Sequence, residues 1–368
     1  MREPNLQGFA GAILSPVNYS EEEIASQIES FRHRPYFDTV FDPQLYYPRS
    51  ERGKLPTWGY FPSSVDSLDI QSDSWWRALV DRLVESCTRL RPDGVCSPAF
   101  VPRSFSDGYF SGMVKLCDYL VSGMEISQTR AIQTLLVNLP DLADPGRAMR
   151  IASIVTRTKA SSVYLVIVSN SEPRREFWDV EELKGALKLI DSLEKSGLPV
   201  LVGFSSSDMV LWKFAGAASC ATGKFFNLRR FTSSRFEEPS VGGTPMAYWF
   251  EESLMAFLRE SDVIRVRQAG GLSEASIKNP YGQEILECID NARGQAWIGL
   301  GWRQWMYAFA DLEKRIGHNA IDVGQLLRHA DEAWLALDDA NILTEERQNN
   351  GAWVRAWRRA IIEYPAMR

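Results

Sequence analysis

Four cations and four phenylalanines interleave between residues 224 and 236. Lys224, Arg229, Arg230 and Arg235 stand beside Phe225, Phe226, Phe231 and Phe236. A guanidinium fork matches a phosphate or carboxylate, and an exposed ring stacks on a base. Gly223 opens the run and permits close approach of the backbone to a ligand, while Asn227 adds an amide. The segment predicts an anion site for a nucleotide, a phosphorylated small molecule or a nucleic acid. It is not a Walker A loop, because Phe225 follows Gly223-Lys224 where Ser or Thr is required. The competing reading pairs the arginines with acids such as Glu237 and Glu238 and buries the phenylalanines in a core.

Asp42 is the candidate acid–base group. It follows an apolar run directly, so it could act as a general base or nucleophile. An Asp-Pro pair also starts turns, with the carboxylate bonded to nearby N–H groups. Gln44 would orient a ligand or cap the loop. Asn170, after the apolar run 163–168, would hydrogen-bond a polar ligand. Arg103, Asn138, Ser205 and Asp208 also follow apolar runs and are expected on the same rim. Asp208 has a second reading, as the N-cap of a helix starting at Met209.

Composition removes several classes. His33, His318 and His329 are the only histidines, and none follows a strand-like run, which disfavours Ser-His-Asp chemistry. Cys87, Cys96, Cys117, Cys220 and Cys288 are odd in number and form no C-x-x-C pair. They predict reduced thiols in a cytoplasmic protein and no Cys/His metal site. A net charge of -6 argues against coating nucleic acid by bulk charge but leaves room for a local basic groove. No signal-like segment and no apolar run of about 18 residues occurs, so no membrane partner is expected. No G-x-G-x-x-G follows the first strand, and no cofactor is expected.

These residues need a scaffold that gathers strand ends. Apolar runs at 9–14, 36–41, 95–101, 132–137, 163–168, 199–204 and 219–221 alternate with amphipathic helical stretches. Repeated βα units predict a parallel sheet. Seven strands, with an eighth at 246–250 or 263–266, favour a (β/α)8 TIM-type barrel over an open doubly wound sheet, which shares the signal. From residue 272 the β-branched runs end, and helices are expected at 284–292, 297–315, 323–337 and 352–362. The expected organisation is a barrel over 1–271 and an all-helical C-terminal extension over 272–368. Trp353, Trp357 and Ile361 form a docking stripe, and Trp297, Trp302, Trp305 and Trp334 build a helical core.

A short stretch resembles a known family. Leu201-Val-Gly-Phe-Ser-Ser-Ser-Asp-Met-Val210, then Phe214-Ala-Gly-Ala-Ala218, then the Arg-rich loop through Arg230, is similar to the late strands of tRNA-guanine transglycosylase barrels. The family's Cys-rich zinc site has no counterpart here. Its catalytic aspartate, which follows the small-residue strand, has none among residues 220–227. No catalytic residue is carried over. The resemblance implies a barrel that meets a nucleic acid or nucleobase, with altered or lost catalysis.

The leading expectation is an enzyme or degenerate enzyme whose site holds a phosphate-bearing ligand at the strand C-termini, with Asp42 and Lys224 facing one pocket. The rivals are a non-catalytic scaffold subunit of a multiprotein assembly, docking a protein partner through its Trp-rich helices, and nucleic-acid binding through the Phe/Arg loop alone.

Overall fold

The computed structural model describes residues 3–237, 246–347 and 349–364. The first two-thirds of the chain alternates strand and helix. The strands are β1 (Gly11–Leu14), β2 (Asp38–Phe41), β3 (Gly94–Cys96), β4 (Arg130–Asn138), β5 (Val163–Val168), β6 (Val200–Val202) and β7 (Ser219–Cys220). The helices between them are α1 (Glu21–Phe31), α2 (Asp73–Leu90), α3 (Asp107–Met124), α4 (Pro145–Val155), α5 (Val180–Lys195) and α6 (Met209–Phe214). Local chemistry sets these boundaries. Ser20 and Glu23 close a reciprocal capping box on α1, and α2 ends at Arg91, which turns left-handed at φ 54.

All seven strands pair in parallel and in sequence order, β1 through β7. This is the singly wound order, in which each crossover returns to the next strand. The central β5, Val-Tyr-Leu-Val-Ile-Val, is paired on both sides and buried on both faces, as its continuous apolar run requires. The sheet curls. Tyr164 of β5 feels the charge of Asp42 and hydrogen-bonds Tyr46, both just past β2. In a flat sheet those strands would stand about 14 Å apart.

The expected eighth strand does not join this sheet among the described residues. Trp249–Glu251 (β8) falls in the 246–250 run but pairs antiparallel with Ala256–Leu258 (β9). Met255, left-handed at φ 51, tightens the turn between them. The other candidate, 263–266, lies inside helix α7 (Glu260–Gln268). Val263 and Val266 are buried there one turn apart, while Arg265 pairs with Asp262 and Arg267 with Asp290.

Helices α8 (Glu274–Lys278), α9 (Gly282–Asp290), α10 (Ile298–Gly317), α11 (Val323–Asp339) and α12 (Ala352–Glu363) follow. Helix α10 lies at the sheet's seam. The amide of Cys220 on β7 donates to Glu313 Oε1 at 2.8 Å, and Trp305 Nε1 donates to Thr222 Oγ1 at 3.1 Å. On its other side Phe309 stacks on Phe9, at 6.5 Å between centroids, just before β1. Arg303 holds Glu3 at 2.6 Å, and Tyr281 donates to the same carboxylate at 2.9 Å. An unpaired strand edge invites wrong partners, and Glu313 satisfies this one.

Helices α11 and α12 pack on α5 and α6 in one core with the sheet's outer face. Trp353, Trp357 and Ile361 are buried as the stripe requires, and Trp357 Nε1 donates to Phe177 O at 2.7 Å. Arg355 and Arg358, off the stripe, pair with Asp331. No helix among the described residues is long and apolar enough to cross a membrane.

Candidate functional site

The C-terminal ends of the strands form a mouth with two acidic clusters. The first grows from β2. Asp42 is 1% exposed. Its Oδ1 accepts from Gln44 N at 3.0 Å and its Oδ2 from Tyr46 OH at 2.8 Å. Burial is the largest influence on its carboxyl and pushes the pKa up to about 6, against the pull of Tyr46, Gln44 and the Arg235 charge. Gln44 sits left-handed at φ 51, a conformation that costs a non-glycine residue and recurs at functional sites. Its side-chain oxygen accepts from Ser15 Oγ at 2.9 Å, and Ser15 accepts from Arg235 Nη2 at 3.0 Å. A relay of hydrogen bonds thus joins Arg235, Ser15 and Gln44 beside Asp42. Arg235 is buried, its Nε has no partner among the described residues, and desolvation lowers its pKa.

The second cluster lies past β5, β6 and β7. Arg230, 1% exposed, donates from Nη2 to Glu176 Oε2 at 2.7 Å and lies 3.2 Å from Asp208 Oδ2. Its guanidinium stacks on Phe177 at 3.7 Å. Ser206 and Ser207 hydroxyls donate to Glu176 Oε1 at 3.2 and 3.0 Å. Asp208 Oδ1 accepts from Ser206 N and Trp212 Nε1. Burial raises both carboxyls, that of Glu176 to about 7. Asp208 occupies the N-cap position of α6, but its carboxylate serves Arg230 and Trp212 and makes no cap bond to the helix.

One segment joins the clusters. After β7 the chain crosses the mouth through residues 226–237. Phe231 makes a parallel bridge to Val168, at the end of β5. Phe231 and Phe236 then pack edge-on against Tyr46, at 5.4 and 5.6 Å, and Ser50 Oγ donates to Phe236 O. Phe204, left-handed at φ 53, packs on Phe231 from the end of β6. The strap therefore carries Arg230 to one acid cluster, Arg235 to the other, and two rings between. It also buries Arg230 Nε and Nη1 and Arg235 Nε without partners. Each such donor costs about 1–3 kcal/mol.

The remaining expected residues scatter. Arg229 is caged by Phe226, Phe257 and Trp305, at 4.8, 4.8 and 5.1 Å, and donates to the carbonyls of Gly223 and Lys224. Burial pulls its pKa down to about 9. It holds the loop shut from within. Gly223 is needed because a Cβ there would lie 2.2 Å from the Leu228 side chain. Asn227 is half-buried, with an unpartnered Oδ1. Lys224 is exposed, with Phe225 and Trp302 each 5.1 Å from its ammonium. Its contacts are these rings, whereas those of Asp42 are Tyr46, Gln44 and Arg235. Arg103 and Asn170 are exposed, Asn138 bonds Pro102 O and Asp141, and Ser205 donates to Val202 O. Among the described residues Arg230 pairs with Glu176 and Asp208 rather than with Glu237, and Glu238 lies outside the described residues.

Glu176, Tyr46 and Tyr164 complete the mouth and were not singled out as candidates from sequence. Glu176 sits in a polar stretch, Ser-Asn-Ser-Glu-Pro-Arg-Arg-Glu, that reads as a solvated loop. The one clue was Phe177 beside it. Among the described residues no group of three or more His, Cys, Asp or Glu side chains is placed to hold a metal, and the five cysteines are free and buried. All three histidines are exposed. No family model matches the chain, and no curated protein matches it.

Proposed function

We propose that the protein is a barrel-type enzyme that binds an anionic ligand, a nucleotide or nucleobase-bearing phosphate, at the C-terminal mouth of its sheet. The carrying observation is a buried carboxylate raised to about 6 beside a buried arginine with an unpartnered Nε. A group near neutrality can take and return a proton at working pH. Asp42 is the acid–base residue in this reading, with Tyr46 and Gln44 as its orienting partners. Arg235 anchors the anion, Gln44 and Ser15 set its approach, and Lys224 with Phe225 and Trp302 meets the ligand at the rim. The finer fold reading is a (β/α)8-type barrel in which α10 stands where the seam would otherwise close by a strand. The likeness of residues 201–230 to transglycosylase barrels supports the same ligand class.

A second reading has one observation in its favour. Trp178, 70% exposed, follows the Phe177 carbonyl that holds α12, and Ile362 on α12 is 68% exposed. Apolar surface of this kind suits a protein partner of a scaffold subunit.

A thermal-shift screen against inorganic phosphate, AMP and short single strands separates the readings. A ligand at 100 times its Kd adds about 2.7 kcal/mol to the folded state. Stabilisation by AMP that is reduced in Lys224→Ala supports the enzyme reading. No stabilisation by any probe in a folded sample favours the scaffold.

A further inference from the structure

We propose that residues 226–237 form a gate over the mouth, latched at the Arg230 end and hinged at the Arg235 end. This rests on the mouth being the ligand site, and it names how that site is reached. Three observations carry it.

First, the strap blocks access. Asp42 is 1% exposed, and Phe231 and Phe236 pack directly on the Tyr46 ring whose hydroxyl holds it. Phe231 and Phe236 cover the Tyr46 side of Asp42, so a ligand approaching from that side meets this aromatic cover first. Second, the two attachments differ. Arg230 enters a pocket of Glu176, Asp208, Ser206, Ser207 and Phe177, where one cation meets two carboxylates. Arg235 makes one hydrogen bond to Ser15, and the adjacent Phe236 carbonyl is held by Ser50. Releasing the first end moves Phe231; keeping the second leaves Arg235 beside Asp42. Third, the closed state leaves Arg230 Nε and Nη1 buried and unpaired. Water satisfies them once the latch opens, so closure is opposed from inside the latch. The backbone of the strap is also locally closed: Leu228, Arg229, Arg230, Arg235 and Glu237 amides bond carbonyls within residues 225–234. The segment can lift as short turns at the expense of the single Phe231–Val168 bridge, leaving the β1–β7 ladders intact.

Hydrogen exchange tests the gate on the full chain, in wild type and in Glu176→Gln, with urea unfolding as the control for global stability. Glutamine keeps the shape and accepts from both serines but loses the charge that grips Arg230. The expected result is strap amides that exchange at least tenfold faster than β4 and β5 amides in the wild type. In Glu176→Gln they accelerate about tenfold further, with β4 and β5 unchanged. Strap amides that exchange only at the rate of global unfolding would overturn the gate. So would acceleration in the variant that is equal across strap and sheet. Selective opening without any shift by inorganic phosphate or AMP keeps the gate and removes the ligand reading, so the two fail separately.

Discussion

Asp42 and the Glu176–Asp208 pair stand on two sides of one mouth, and each meets an arginine from the same strap. The contacts are unlike. Arg230 grips its two carboxylates directly, at 2.7 and 3.2 Å. Arg235 influences Asp42 through charge but hydrogen-bonds Ser15, while Asp42 is held by a phenol and a backbone amide. A contact ion pair in a dry site fixes its members, and breaking one side leaves a bare charge. A buried acid held by neutral donors stays free to exchange its proton. One cluster suits attachment, and in the proposed reading the other suits chemistry.

The sharpest way to break that contrast is Arg230→Met. Two buried carboxylates lose their cation, and about 3–5 kcal/mol of stability should go at pH 7.5 by urea unfolding. Much of it should return at pH 5.5, where Glu176, already raised by burial and raised further once the Arg230 charge is gone, carries a proton. A loss below about 1 kcal/mol would mean the pair is not an attachment.

Asp42 should show its difference in pH dependence. Burial raises its carboxyl from 3.8 to about 6, so the folded state keeps a proton that the unfolded chain releases. Its share of stability is full below about pH 4 and is lost as pH rises through 6, amounting to about 3 kcal/mol. Asp42→Asn should flatten that part of the stability–pH curve and abolish turnover of any substrate found. Tyr46→Phe removes one donor from the buried carboxylate and should cost about 1–3 kcal/mol. It should also push the Asp42 pKa higher, read by carboxyl carbon NMR. Lys224→Ala should change stability by less than about 0.5 kcal/mol, since the lysine is exposed and its neighbours are an exposed ring, Phe225, and a half-buried one, Trp302. Any loss of anion binding in that variant is then a site effect.

The strand–helix alternation was legible because buried strands and amphipathic helices write different periods. The expected 163–168 strand matches β5, and the expected 323–337 helix lies within α11. The eighth strand misled because Val263-Ile264-Arg265-Val266 is β-branched yet also places two valines one helical turn apart, and burial of that pair decides for α7. Asp42 stood out because it follows a strand directly. Glu176 was hidden because the loop leading up to it is polar, with the aromatic pair Phe177-Trp178 only after it, and its partner Arg230 is distant in sequence. The split of the arginine run among an aromatic cage, an acid pair and a serine is a matter of three dimensions. Spacing alone gives Arg229 and Arg230 the same prospects.

The contact between α10 and the two outer strands sets an order of events during synthesis. Phe9 and Glu3 emerge first, and Phe309 and Arg303 emerge about 300 residues later, so the β1 side of the seam stays unfinished until late in translation. The Cys220 amide likewise waits for Glu313. Contacts this far apart slow folding, because a long loop must close before they reward it. A nascent chain halted before α10 presents a parallel sheet with both edges bare. Premature termination before residue 298 should therefore yield an aggregating product, and the ribosome-bound chain should need a chaperone until α10 has cleared the exit tunnel.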